Sequence, residues 1–445
     1  MSVVEREQRA VVCDVPQVEE RRAGDSQTIA KLYRTVWRWH FYAGLIVAPV
    51  LIVAAATGGI YIFKAELERL LYAELMFVAP SAERATYADQ VAAIGAAMPE
   101  GFKIGSLIVP DDPTHAVSAY GQIEGEYHSV YVDPYRGTFL GTLGSMNFFR
   151  VVLDIHRRLF IGTTGRIIVE LMTCWTIVLV ATGLYLWWPR NGNKVWGALL
   201  PRFSRSAYRT LRDLHAVSGA YVAVIALLIA STGLLYTYVW GQGYRYVATK
   251  SGAYDIYLNP PKATTPPGKT PLDVDQIVAI AGDAMPGTTL TVRMPADPSL
   301  AYVVFGSTPY GPSTDSVVVI DQGAGEIIQQ RTNSEFPALA WWSTWNYPLH
   351  VGSILGMWTK VPWLIACVGL MLLPITGVWM WWKRRPTGTA GLPRRYFDAK
   401  IPRWMGLLIL ALCVVLPVVG ISLAIVLAGD WVRGRVTGRR EVALA

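Results

Sequence analysis

The chain reads YRTVWRWHFYAG over residues 33–44 and YRTLRDLHAVSG over residues 208–219. In both copies Tyr-Arg-Thr leads to a histidine five residues after the Thr and a glycine four residues later, and each copy opens a long apolar run. The match extends outward. Counted from His40 and from His215, Gly stands at +4 (Gly44, Gly219) and Thr-Gly at +17 and +18 (Thr57-Gly58, Thr232-Gly233). A second register starts at His156 and His350. Both meet Gly at +6 (Gly162, Gly356), a base at +10 (Arg166, Lys360), Thr-Gly at +26 and +27 (Thr182-Gly183, Thr376-Gly377) and Trp-Trp at +31 and +32 (Trp187-Trp188, Trp381-Trp382). Neither register needs a gap, so the chain is an internal duplication.

Composition says where the duplicated unit lives. Of 445 residues 52% are hydrophobic and 17 are Trp, and mean hydropathy is +0.32. A bilayer core of about 30 Å takes about 20 apolar residues in helix. Runs of that kind predict an α-helical membrane protein with five transmembrane helices, near 41–63, 168–188, 217–239, 361–382 and 404–428. Residues 1–30 are charged and lack a short apolar signal core; they are expected to be a disordered cytoplasmic segment before an uncleaved anchor. The expected division is helix one at 31–63, a first external lobe at 64–155, helix two at 156–189, a short loop at 190–213, helix three at 214–244, a second lobe at 245–349, helix four at 350–382, a loop at 383–403, helix five at 404–429 and a tail at 430–445.

Charge orients these elements. The 190–213 loop carries Arg190, Lys194, Arg202, Arg205, Arg209 and Arg212 against Asp213. The 383–403 loop carries Lys383, Arg384, Arg385, Arg394, Arg395, Lys400 and Arg403 against Asp398. The long loops are acidic, with 12 acids to 6 bases over 64–155 and 9 to 6 over 245–349. Basic short loops belong on the cytoplasmic side, which puts the long loops on the other side of the membrane. The net charge of +8 is then a topology signal, and no nucleic-acid partner is expected. Arg433, Arg435, Arg439 and Arg440 in the tail run against a fifth crossing. Cys13, Cys174, Cys367 and Cys413 are far apart and outside the long loops, so disulfides and a thiolate metal cluster are not expected.

The two lobes repeat as well. ADQVAAIGAAMP (88–99) resembles VDQIVAIAGDAMP (274–286), and each is followed by β-like runs, the last pair closed by a turn at DPYRG (133–137) or DQG (321–323). Each lobe is expected to be a helix and two or three antiparallel strands, with NPPKATTPPGKTP (259–271) as a linker. A histidine-x-x-x-Gly opening to a helix, an α+β lobe ending VYVDPYRG and a helix ending TGLYLWWPR resemble the PepSY-associated transmembrane family over residues 31–386. The resemblance implies two small PepSY-like α+β lobes outside the membrane. It also implies kinship with inner-membrane reductases that hold two haems and act on ferric siderophores.

Only six histidines are present, and four stand at repeat-equivalent ends of spans. A tandem two-helix unit keeps its orientation, so its halves relate by a pseudo-two-fold axis along the membrane normal. That axis carries His40 onto His215 on the cytoplasmic side and His156 onto His350 on the other. Two imidazoles facing across an axis suit the two axial positions of one haem iron, so two haem b groups are expected. Arg34 and Arg209, and Arg166 and Lys360 with Arg157 nearby, are the bases expected to receive the anionic propionates. The Thr-Gly pairs are read as helix packing and the Trp pairs as an interfacial belt. His115 and His128 lack repeat partners and are expected at the surface.

Haems in both leaflets would make an electron wire. No dinucleotide fingerprint stands in a strand–helix context, so a separate cytoplasmic reductase or quinol must supply electrons. The acceptor implied by the resemblance is an iron(III) siderophore. Two rival readings stay open: a haem-free regulatory or binding module acting through its lobes, and a transporter built from parallel repeats.

Overall fold

The computed structural model describes residues 15–189, 196, 198–263, 270–297, 299–308, 311–389, 391–393 and 402–442. Arg190, Lys194, Arg394, Arg395 and Lys400 of the basic loops, and the centre of the proline-rich linker, lie outside the described residues. Of the leading segment, expected to be disordered up to residue 30, the described part is helical: one helix runs over Val15–Ile62. Beyond Pro16 that segment is rich in Glu, Arg, Gln and Ala, all good helix formers.

Four helices among the described residues are long and apolar enough to cross a membrane: Ala30–Ile62, Gly162–Trp187, Ala207–Tyr236 and Met357–Arg384. The expected fifth span is instead two helices, Arg403–Val415 and Pro417–Val442. Between them Leu416 leaves the helical region (φ −120°, ψ 77°), because the ring of Pro417 disfavours helical backbone in the residue before it.

The chain forms two compact units. The first takes the segment up to Ala55, Ile168–Ala230 and the segment from Val368. Its helices meet through Ala55, Ala226 and Leu370, with Leu51, Val180 and Met371 against them; small residues let helices approach closely in an apolar solvent. The indole N–H of Trp175 donates to Ser422 Oγ at 3.2 Å, tying the last helix to the second span.

The second unit, Ala56–Ile167 with Ser231–Cys367, holds an eight-stranded antiparallel sheet. Its strands are β1 (Lys103–Val109), β2 (Val117–Ile123), β3 (Glu126–Val132), β4 (Phe139–Leu143), β5 (Thr289–Arg293), β6 (Tyr302–Ser307), β7 (Ser316–Ile320) and β8 (Ile327–Thr332). The order is β4-β3-β2-β1-β5-β6-β7-β8. Each expected lobe thus has four strands, and the two fuse into one sheet through β1 and β5, with Leu107 opposite Val292 and Ile108 opposite Thr291. The helices Tyr87–Ala97 and Val274–Ala284 cover one face, where Ile94, Ile277 and Ala281 join Leu107, Val130, Val292, Val304 and Ile320 in a single core. The Asp275 carboxylate accepts from the backbone N–H of Tyr87 and Ala88 at 2.7 and 3.0 Å. The second lobe's helix thereby satisfies the free N–H groups that open the first lobe's helix. Val317 and Val319 face a second core with Ala248, Phe336 and Ala340, which is why β7 reads as an unbroken apolar run.

The two turn motifs do the same job. Asp133 Oδ1 accepts from the N–H of Tyr135 and Arg136, and Asp321 Oδ1 from Gly323 and Ala324. Gly137 and Gly325 close these turns at φ +62° and +76°, which side chains disfavour. His115 and His128, expected at the surface, are both partly buried: His115 Nδ1 lies 3.1 Å from Asp112 Oδ2, and His128 packs its ring against Phe102 from β3.

Candidate functional site

His40 and His215 stand within the first and third spanning helices. His156 and His350 do not begin their spans. They end separate helices, Phe148–Arg158 and Ala338–Val351, that precede the membrane segments. The first break begins at Leu159 and Phe160, with φ of +50° and +58°, and both breaks carry glycines in the same region. Gly162, Gly352 and Gly356 take φ of +59°, +68° and +55°, and a Cβ on Gly165 would fall 1.7 Å from the carbonyl oxygen of Arg158.

The fold brings the four histidines together as two pairs. In the first unit the rings of His40 and His215 have centroids 6.4 Å apart and planes at 88°. In the second unit His156 and His350 lie 6.3 Å apart with planes at 61°. Two metal–nitrogen bonds of about 2.0 Å plus the two ring radii span about 6.3 Å. Both gaps therefore fit one metal atom held between two imidazoles. Among the described residues no group of three or more His, Cys, Asp and Glu could hold a metal ion. A pair of histidines completes a metal's coordination only where something else, such as a macrocycle, supplies the remaining donors.

Each ring is held in the same way. Nδ1 of His40 lies 2.9 Å from Thr182 Oγ1, that of His215 3.1 Å from Thr376 Oγ1, that of His156 3.1 Å from Thr57 Oγ1 and that of His350 3.2 Å from Thr232 Oγ1. The glycine after each threonine lies under the ring. An added Cβ would fall 3.2 Å from His156 Cε1 at Gly58, 3.2 Å from His40 Cε1 at Gly183, 3.1 Å from His350 Cε1 at Gly233 and 3.6 Å from His215 Cε1 at Gly377. The Thr-Gly pairs, read from the sequence as helix packing, are thus the histidines' seats. The signal was present in their constant offsets; what it served was not.

The first pair borders a cavity of about 660 Å³ lined by Trp37, Phe41, Trp187, Trp381 and four glycines, Gly44, Gly183, Gly219 and Gly377. Cofactor pockets of about 300–1,000 Å³ with apolar, aromatic walls are usual, and bare glycine backbone leaves flat walls. Arg34 lines this cavity. Arg209 does not and is exposed. Arg212, three residues before His215 and so near the histidine's own helix face, lines it instead, with Arg384. Arg212 also pairs with Asp213 at 2.7 Å, and Arg384 stacks over Trp37 at 4.8 Å.

Around the second pair the expected bases are engaged with protein groups. Lys360 is buried and donates to Glu66 Oε1 at 2.6 Å. Arg166 donates to the carbonyls of Tyr236 and Thr237 at 3.2 and 3.0 Å. Arg157 donates to the Tyr236 carbonyl at 3.0 Å, and burial together with the Arg166 charge lowers its pKa from the ordinary guanidinium value. These two arginines close the end of the third span, whose last ring, Tyr236, packs on His350 with centroids 5.5 Å apart.

No curated protein matches the chain. Residues 37–384 match the family described as the PepSY-associated TM region, a stretch that holds all four histidines and all four Thr-Gly seats. With four apolar helices of spanning length, the protein is a multi-pass membrane protein, and it belongs to the PepSY-associated TM region family.

Proposed function

We propose that the protein is a haem-b oxidoreductase of the bacterial inner membrane that passes electrons singly to an iron(III) chelate, a ferric siderophore, in the periplasm. The observation that carries this reading is the repeated histidine pair, spaced for one metal atom and seated identically at four positions. His40 with His215 would hold one haem b, and His156 with His350 the other. Bound haem with two imidazole ligands supplies one-electron transfer without an open position for oxygen.

The chain's own residues do the rest. The threonine seats hold the imidazoles, the aromatic walls of the first cavity exclude water, and Arg34, Arg212 and Arg384 offer that cavity positive charge for carboxylates. Arg157, Arg166 and Lys360 keep positive charge near the second pair while bonded to protein groups. Basic loops on the cytoplasmic side orient the chain so that a soluble reductase or quinol donates near His40 and His215. The sheet then lies in the periplasm. One electron converts chelated iron(III) to iron(II), which hard oxygen ligands hold less strongly, so the metal is released without an acid, base or nucleophile.

The test is a reduced-minus-oxidised absorption spectrum of the detergent-purified protein with a pyridine-haemochrome count. Two haems b per chain are expected, one lost in His40→Ala or His215→Ala and the other in His156→Ala or His350→Ala. A protein that stays colourless when expressed with ample haem refutes the reading and returns the function to a haem-free module working through its sheet.

A further inference from the structure

We infer that the four Thr-Gly pairs are tautomer clamps that preset each histidine as a metal ligand. The clamp is a property of this chain's hydrogen bonding; its use in tuning a metal rests on the haem reading above.

A threonine hydroxyl has one proton and two lone pairs. Thr182 donates its proton to Val178 O at 2.8 Å, one turn back on its own helix. Thr376 donates likewise to Leu372 O at 2.9 Å. With the proton spent there, the oxygen that faces His40 or His215 can only accept. In that arrangement Nδ1 carries the ring proton, and the lone pair is left on Nε2. At His215 a second acceptor agrees, since Leu373 O lies 3.0 Å from the same Nδ1 and a carbonyl cannot donate. Thr57 and Thr232 are buried, 8% and 0% exposed, and stand 3.1 and 3.2 Å from Nδ1 of their histidines, against 2.9 and 3.1 Å for Thr182 and Thr376.

The wiring is reciprocal within each half of the duplication. Thr57, on the first span, clamps His156, which precedes the second; Thr182, on the second span, clamps His40 on the first. The other half repeats this with Thr232 to His350 and Thr376 to His215. The histidine pairs instead join the two halves. Each half therefore presets its own two Nε2 lone pairs, and a metal between a histidine of one half and its equivalent in the other would be held by both halves at once. An acceptor on the far nitrogen raises imidazole basicity and fixes ring orientation. The four threonines are thus positioning residues that favour the more oxidised metal.

Thr182→Val, of similar shape without the hydroxyl, and Thr182→Ser, which keeps it, separate this role from packing. In the full-length protein with its haems, Val is expected to shift the midpoint potential of one haem upward and leave the other unmoved. It should also weaken retention of that haem about 10–100-fold, the usual cost of a lost outer partner, and Ser should restore both. Unchanged potentials in Val, with two haems in the wild type, overturn the clamp and leave the oxidoreductase reading standing. Haem-free protein gives a second readout. Nitrogen-15 shifts of His40 should report Nδ1–H in wild type and Ser and a mixture in Val. An Nε2–H wild type overturns the clamp whether or not haem binds.

Discussion

His40 and His215 sit inside long apolar helices, and what surrounds them is helix: a glycine-floored cavity, aromatic walls and arginines at the rim. His156 and His350 sit on short helices of their own, beyond glycine breaks, in the unit that carries the eight-stranded sheet. Yet the ring separations are 6.4 and 6.3 Å, and the seat is the same Thr-Gly pair four times. Local seating is therefore independent of the kind of scaffold. A hydroxyl at Nδ1 and a bare Cα under Cε1 suffice on either. What differs is the surrounding structure, because the second pair shares its unit with the sheet, whose stability depends on packing, ion pairs and pH.

The hardest test of that difference is in the sheet core. Leu107→Ala, at a fully buried position on the β1–β5 seam, should cost about 2–5 kcal/mol. Thermal melts should show the His156–His350 unit failing early, while the spectrum assigned to His40 and His215 persists. Simultaneous loss would show that the two pairs share one stability. Next come the seats themselves. Gly183→Ala places a Cβ 3.2 Å from His40 and should weaken occupancy of that site about 10–100-fold. Gly377→Ala, with 3.6 Å of room at His215, should leave it unchanged. Haem counts on the two purified variants decide this, and equal behaviour would break the geometric account of the seats.

Smaller effects should touch the second unit alone. Glu66→Gln leaves the buried Lys360 ammonium without its carboxylate and should cost about 1–3 kcal/mol in thermal unfolding at pH 7. Burial raises the Glu66 carboxyl, but the bond and charge of Lys360 outweigh it and the net pKa lies below the usual value. That stabilisation is present at neutral pH and is lost as pH falls through the folded-state pKa. Asp315 runs the other way. Burial raises its carboxyl to about 6, so the folded protein binds this proton more tightly than the unfolded chain. Stability at this residue should rise as pH falls from 7 towards 5, by on the order of 1 kcal/mol after screening of a partly exposed group. Asp315→Asn should flatten the pH dependence and be the more stable protein at pH 7.

Much of this was legible in the chain. The fixed offsets from His40 and His215, and from His156 and His350, carried the duplication, the four long spans and the partnering of equivalent histidines, because gapless repeats and apolar length survive any folding detail. The helix–strand pattern of the lobes and their Asp-led turns were readable from alternation and turn residues. Three features were not. The fifth apolar run is long enough to cross, and its break depends on one proline acting on the residue before it. The separate helices of His156 and His350 depend on positive φ at Leu159, Phe160, Gly162, Gly352 and Gly356, and a residue in sequence does not declare its φ. Arg212 rather than Arg209 lines the first cavity, although Arg209 stands at the same offset from His215 as the cavity-lining Arg34 does from His40, so place in the repeat alone does not show which base faces inward.

The sequence by itself therefore determined the membrane-spanning duplication and the residues it repeats, since both follow from composition and local periodicity. The tertiary structure alone decided that two lobes become one sheet, because the β1–β5 seam joins edges 181–187 residues apart that have no local signal for one another. It also decided what the Thr-Gly pairs do. A threonine and a histidine far apart in sequence meet only when their helices pack, and only then does the hydroxyl's single proton settle which imidazole nitrogen is free.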